Sequence, residues 1–255
     1  MEAAIAWRHW AASRGWQVEA VLLDVTRDDS IASAVKHILG KTDGRLDVLV
    51  NNAGYYALGP LEETTPDELR AQLETNVLGV HRVTRAVLPA MRAQGFGRIV
   101  VLGSVSGRVA VPMVGPYHAS KWALEGMIEA WRLELIPFGI HVALIEPGPY
   151  ATSFYTNQKL AAATVAAGDA GPYAPLMAAY RRQENRLPRE RDLGPLIDVI
   201  ERAATVPNPK FRWMVGPTSF TGGRLRAFVP DRIYEWIMRL GFPIRRLPPP
   251  STDGS

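Results

Sequence analysis

A chain of 255 residues that is 47% apolar and 21% charged suits one large α/β domain with a sizeable core. The net charge of +4 is scattered rather than gathered into a Lys/Arg stripe, so no nucleic-acid partner is expected. The absence of cysteine excludes disulfides, thiolate metal sites and cysteine nucleophiles and suits a reducing cytoplasm, and no run approaches the ~20 apolar residues of a membrane span, so membrane contact is not expected.

Residues 1–14 read as a helix anchored by Ile5, Trp7, Trp10 and Ala11 and stopped by Gly15. Residues 18–25, Val-Glu-Ala-Val-Leu-Leu-Asp-Val, read as a buried strand. Thr26 or Asp28 can cap the following helix, which carries Ile31, Val35 and Ile38 on one side. The apolar run 46–50, bounded by Asn51-Asn52-Ala53-Gly54, has the profile of a buried parallel strand. Thr65-Pro66-Asp67-Glu68 is a complete helix start: Thr65 caps, Pro66 suits the first turn and Glu68 closes a capping box. Leu69, Leu73, Val77 and Val80 continue on one face with Asn76 beside them, and helical character lasts until Gly95.

A strand over 98–102 leads into the loop Gly103-Ser104-Val105-Ser106-Gly107. Pro116-Tyr117-His118-Ala119-Ser120-Lys121 then opens a helix reaching about residue 137. Tyr117 and Lys121 lie four residues apart, so a phenol and an ammonium share one helical face. A neighbouring cation favours the phenolate and is expected to draw the tyrosine from ~10 toward the working range, where it can exchange a proton near neutral pH. Ser104, thirteen residues before Tyr117, sets a hydroxyl at a strand end; Ser106 is a rival at a poorer distance, and His118 has no role in this reading.

Residues 140–145 form another strand, ended by Glu146-Pro147-Gly148-Pro149. Strands alternating with helices predict an α/β fold with a doubly wound parallel sheet of the Rossmann type. Ligands bind such sheets at the carboxyl ends of the strands. Asp24, residues 51–54, Ser104 and Pro147-Gly148 are all expected there. Residues 149–192, rich in Ala, Gly and Pro, read as a substrate lid. A helix over 193–204 and a last strand over 211–215 follow. An amphipathic helix over 226–240 is expected to pack Phe228, Ile233, Trp236, Ile237 and Leu240 on its own domain. One domain then spans 1–247, and 248–255 is a disordered tail.

The ordered set Leu23-Asp24-Val25-Thr26, Asn51-Asn52-Ala53-Gly54, Asn76, Ser104, Tyr117 with Lys121, and Pro147-Gly148 with Thr152 resembles the short-chain dehydrogenase/reductase family over about residues 10–217. Its Gly-Ser-Val-Ser-Gly loop and Ala-Ser-Lys-Trp-Ala-Leu-Glu-Gly helix start look most like the hydroxysteroid and retinol dehydrogenase branch. The resemblance implies an NAD or NADP cofactor and an alcohol/carbonyl interconversion in which Tyr117 is the general acid or base. Lys121 would tune Tyr117 and hold the nicotinamide ribose, Ser104 would hydrogen-bond the substrate oxygen, and Asn76 would fix a proton-relaying water. Asp24, beside Val25, would accept from the adenine amino group. Asn51, Ala53 and Gly54 would line the cofactor cleft, and Pro147, Gly148 and Thr152 would seat the nicotinamide. Val109, Val111, Met113, Tyr150, Phe154 and Tyr155 offer an apolar wall for a steroid-, retinoid- or lipid-like alcohol or ketone. The Tyr117 helix resembles the family's subunit-pairing helix, which implies a homodimer or homotetramer.

One family element is absent from this sequence: the opening strand with its Thr-Gly-x-x-x-Gly-x-Gly loop, whose amides hold a pyrophosphate. The residues that separate NAD from NADP go with it. In the 3-2-1-4 strand order the missing strands fall between the 18–25 strand and the 46–50 strand, which predicts unpaired edges. Two readings follow: an incomplete or mis-started oxidoreductase, or a noncatalytic module of the same fold that binds or pairs subunits.

Overall fold

The computed structural model describes residues 13, 15, 17–152, 154–155, 157–186, 191–216, 219 and 223–242. Its strands are β1 Val48–Asn51, β2 Ala57–Leu58, β3 Gly97–Leu102, β4 Ile140–Pro147, β5 Lys159–Leu160 and β6 Arg212–Val215. Four of them form a wholly parallel sheet in the order β1-β3-β4-β6, and β2 pairs with β5 in a small second sheet. The helices are α1 Asp28–Lys41, α2 Pro66–Leu73, α3 Gly79–Gln94, α4 Gly115–Glu134, α5 Ala162–Ala167, α6 Ala174–Arg186, α7 Gly194–Thr205 and α8 Asp231–Gly241.

The middle of each central strand, residues 99–102 of β3 and 142–145 of β4, is an apolar run because both of its faces are covered. Ile99, Val101, Val142 and Leu144 pack against Val87 and Met91 of α3 and Leu124 and Ile128 of α4. The alternate residues Val100, Ala143 and Ile145 pack on the other face against Ala203, Val199 and Ile200 of α7. Burial of each such Ile, Leu or Val contributes about 1.5–3 kcal/mol. The layers therefore follow from the period-two pattern of the strands. This is the α/β Rossmann-type arrangement expected, with the carboxyl ends of β1, β3, β4 and β6 on one edge.

The capping box at α2 forms: Thr65 Oγ1 accepts from the Glu68 amide, and Glu68 Oε2 accepts from the Thr65 amide at 2.8 Å. Between α2 and α3 the helix widens into a π-turn, Glu74–Leu78, that buries Asn76. The 149–192 segment holds β5, α5 and α6, and α6 buries Met177, Tyr180 and Glu184 along one face.

Three expectations fail. Residues 17–24 form no strand, and Leu22 is 92% exposed. The physical reason is a missing partner: β1 is itself a sheet edge, with Val48 41% and Val50 42% exposed, and no described strand lies beyond it. An extended segment without a ladder gains nothing from strand geometry. Asp24 and Val25 consequently do not end a strand. The cap of α1 is also different: Arg27 occupies the N-cap without a side-chain bond, while the Thr26 amide and hydroxyl both donate to Asp24 Oδ1. Finally, the 226–240 helix is broken. A single turn, Arg224–Arg226, precedes Pro230, and α8 starts only at Asp231. Proline disfavours helix in the residue before it. Phe228 is left 85% exposed, and Ile233, Trp236, Ile237 and Leu240 also face outward. Met238, Phe242 and a hydrogen bond from the Tyr234 hydroxyl to the Ala110 carbonyl fasten α8 to the domain.

No described helix is long and apolar enough to cross a membrane. The expected helix over 1–14 and the tail 248–255 lie outside the described residues, apart from Ser13.

Candidate active site

A chamber of about 760 Å³ opens at the carboxyl ends of β3 and β4. Ser104, Tyr117 and Lys121 all line it, together with Gly54, Pro147, Gly148 and Thr152. Its wall carries Val109, Val111, Tyr150, Phe154 and Tyr155.

Each polar group is placed by a specific piece of backbone. The chain leaves β3 at Gly103, where a Cβ would stand 3.0 Å from the Ile145 carbonyl oxygen, so only glycine lets β3 and β4 meet this closely. Ser104 then caps the 3₁₀ turn Val105–Gly107, its Oγ accepting from the Ser106 amide at 3.1 Å. The Ser104 hydroxyl acts on the Tyr117 phenol and favours its ionised form. Tyr117 and Lys121 are one turn apart on α4, and both are buried.

Electrostatics depart from expectation. Burial pushes the Tyr117 phenol above its ordinary range, and the neighbouring Ser104 hydroxyl offsets this only in part. The Lys121 ammonium is bonded to backbone. Its Nζ donates to the Leu102 carbonyl at 2.7 Å and stands 5.6 Å from the centre of the Tyr117 ring. Burial also penalises the ammonium, which falls from 10.5 to about 8. The chamber thus favours a neutral phenol, and the expected downward shift of Tyr117 does not occur. A dry pocket disfavours charge on both groups more than one favours charge on the other.

Asn76 lies behind the chamber rather than in its wall. Its Oδ1 accepts from the Tyr55 amide at 3.1 Å, while Nδ2 donates to the Tyr55 carbonyl at 3.0 Å and to Ser120 Oγ at 3.1 Å. Ser120 Oγ donates in turn to the Tyr117 carbonyl at 2.7 Å. Asn76 thereby ties the loop after β1 to the backbone of α4. Gly54 closes the same contact, since a Cβ there would meet Asn76 Oδ1 at 3.1 Å. Asp24, Val25, Asn51 and Ala53 do not line the chamber. Asn51 turns to α3 and donates to Thr84 Oγ1 at 3.0 Å, and Val25 packs against Gly79.

His118, given no role by its place in the sequence, is a structural tie. Its Nδ1 bonds the Ser106 carbonyl at 3.0 Å, and its Nε2 accepts from the Val111 amide at 3.0 Å. With Nε2 accepting, the proton resides on Nδ1, and the ring is the neutral form that burial favours. His118 clasps the Ser104 loop to the start of α4. The available signal was a loop, Val105 to Pro112, whose backbone has few side-chain partners of its own and must find one elsewhere. Arg108 adds a second tie, donating from Nε to the buried Glu146 carboxylate at 2.8 Å, next to Pro147-Gly148.

Residues 2–162 match the family model described as short chain dehydrogenase. The chain is 35% identical over 232 residues to 3-ketodihydrosphingosine reductase of Bacteroides thetaiotaomicron, covering 90% of this chain and 84% of that protein. It is 43% identical over 152 residues to 17-beta-hydroxysteroid dehydrogenase type 1 of Homo sapiens, covering 58% of this chain and 45% of that protein. Among solved structures, a short-chain dehydrogenase from Streptomyces avermitilis is similar with a TM-score of 0.75 at 31% identity, covering 93% of this chain and 85% of that one. The family model's extent, these identities and the parallel sheet agree: the chain belongs to the short-chain dehydrogenase family.

Proposed function

We propose that this chain is an NAD(P)-dependent oxidoreductase that interconverts an apolar, lipid-like alcohol and its carbonyl, with Tyr117 moving the proton. The observation that carries the reading is the convergence of Ser104, Tyr117 and Lys121 on one chamber with an apolar wall. The nicotinamide supplies or takes the hydride when bound. Gly54, Pro147, Gly148 and Thr152 would seat that end, with Lys121 on the ribose hydroxyls. Lys121 Nζ already points to the strand end, and Gly54 and Gly148 present backbone there. The pyrophosphate end has no such fit, because no glycine-rich loop stands in the sequence. Asp24 with Val25 at the adenine, and Asn51 and Ala53 along the cleft, complete the proposed cofactor set.

In reduction, the Tyr117 O–H bond breaks and its proton goes to the carbonyl oxygen, while the carbonyl carbon gains the hydride. Ser104 donates to the same oxygen and stabilises charge as it develops. A phenol held neutral by burial carries the proton that this acid role needs. The names of the two curated relatives, a keto-lipid reductase and a hydroxysteroid dehydrogenase, support the substrate class. The chain is proposed to work in the cytoplasm as a homodimer or homotetramer paired through α4, whose Trp122 is exposed. Residues 149–192 would be the substrate lid, since α6 lays buried side chains over the chamber.

A second reading, a noncatalytic binding or subunit-pairing module, is favoured by the absent phosphate loop and the open β1 edge. Titration of NADH and NADPH by fluorescence separates the two. Weak binding, enhanced by a bound ketone or alcohol, is expected for the oxidoreductase. No binding at millimolar cofactor would favour the module.

A further inference from the structure

A cluster of ions lies outside the chamber wall, and proton transfer at Tyr117 does not use it. Glu146 is fully buried near the end of β4, one residue before Pro147-Gly148. Its Oε2 accepts from Arg108 Nε at 2.8 Å. Arg108 Nη2 stands 3.6 Å from Glu125 Oε2 on α4, and Arg212 of β6 donates from Nε to that same oxygen at 3.0 Å. Arg212 Nε is also 3.6 Å from Glu146 Oε1. Two guanidiniums thus hold two carboxylates, Glu146 and Glu125, whose side chains are 1% and 14% exposed. The points of attachment set this cluster apart. Arg108 is four residues after Ser104, Glu125 is four residues after Lys121, and Glu146 adjoins Pro147-Gly148. Gly107 lies so close to α4 that a Cβ there would stand 3.0 Å from the Lys121 carbonyl oxygen. Stability alone does not account for such a cluster, because buried ion pairs are often no better than apolar residues of similar volume. What they add is direction: a charged hydrogen bond fixes the register of two segments, whereas apolar packing tolerates exchange of shapes.

We propose that Arg108, Glu125 and Glu146 are positioning residues that hold the Ser104 loop in fixed register with Pro147-Gly148 and with the Lys121 turn. They thereby set the distance between the group that binds the substrate oxygen and the seat of the nicotinamide. This role rests on the reading of the Tyr117 chamber as the active site of an oxidoreductase. His118 ties the loop to α4, and the Arg108–Glu146 pair ties its middle to β4. The three residues act through Ser104 and Gly148 and not on the reacting atoms. A displacement of ~1 Å between reacting groups costs about 10²-fold in rate.

The test compares the unaltered chain with Arg108→Met combined with Glu146→Met, which removes both charges of the closest pair and leaves Glu125 with Arg212. Urea unfolding, NADPH affinity by fluorescence, and kcat and KM for a long-chain ketone are measured. The expected result is a urea midpoint close to that of the unaltered chain and a kcat lower by about 10²-fold, with ketone KM and NADPH affinity changed by less than about threefold. Arg108→Lys keeps the charge but offers a point donor in place of the guanidinium fork, and should give an intermediate kcat at an unchanged midpoint. It also decides the matter if the double variant does not fold: a kcat equal to that of the unaltered chain would overturn the positioning role. So would a folded double variant with unaltered kcat, or a loss carried by KM alone. Hydrogen exchange at the Ser106 and Gly107 amides, read without ketone or cofactor, separates this role from the oxidoreductase reading. Both amides bond within the Ser104 turn, at 3.1 and 2.9 Å, and should exchange faster in the double variant. If the unaltered chain turns over no ketone, the oxidoreductase reading fails; faster exchange then supports the hold on the Ser104 loop, and unchanged exchange overturns it.

Discussion

Lys121 and Tyr117 share a dry chamber in which neither gains by being charged, and this has a measurable consequence. Lys121 ionises at about 8 when folded and at 10.5 when unfolded. Between those values the unfolded chain binds more protons, so stability rises with pH across that window and the full cost is present below it. Lys121→Met should therefore stabilise the ligand-free protein by roughly 1–2 kcal/mol at pH 7, after allowing for the lost bond to Leu102. The gain should shrink as pH rises from about 8 and vanish above 10.5, as read from urea unfolding across pH. Ser104, Tyr117 and Lys121 were legible in the sequence because strand-end and helical spacing alone bring them together. The Arg108–Glu146 pair was not, since its members meet across 38 residues. The direction of the Tyr117 shift was misread because spacing along a helix says nothing of how much water reaches it.

The Thr65-Pro66-Asp67-Glu68 helix start was readable down to its individual bonds, since capping is local chemistry. The π-turn that follows was not. One extra residue per turn has no compositional mark, yet it rotates Asn76 off the surface and into the gap between the β1 loop and α4. Asn76→Ala would leave the Tyr55 amide without its acceptor, while the Tyr55 carbonyl keeps Gln72 Nε2 at 3.1 Å and Ser120 Oγ keeps the Tyr117 carbonyl. A loss of about 1–3 kcal/mol is expected, from a backbone amide left without a partner. Hydrogen exchange at the Tyr55 amide should accelerate before global unfolding, and an unchanged rate would show that Asn76 does not hold this loop. The break before α8 was signalled by Pro230, which the amphipathic pattern across it overrode in the reading.

Across the whole molecule, the sheet follows from the sequence wherever a strand has at least one neighbour to pair with. β3 and β4 appear where their apolar runs predict, whereas 17–24 stays outside the sheet and β1 keeps an open edge. Hydrophobic patterning proposes a strand, but pairing decides it. Val48 and Val50 on that edge should promote strand-to-strand association. Val50→Lys is expected to lower light scattering of the concentrated protein while moving the unfolding midpoint little, because the side chain is already half exposed. Scattering that does not change would place the association elsewhere.

Tyr117 is the group proposed to hand a proton to the substrate oxygen, and every other role at the site is defined relative to it. Single-turnover reduction of a long-chain ketone at millimolar NADPH, comparing the unaltered chain with Tyr117→Phe, tests it most directly. Loss of the phenol should slow the chemical step by about 10²–10⁴-fold while NADPH affinity stays the same. Equal rates in the two chains would contradict it.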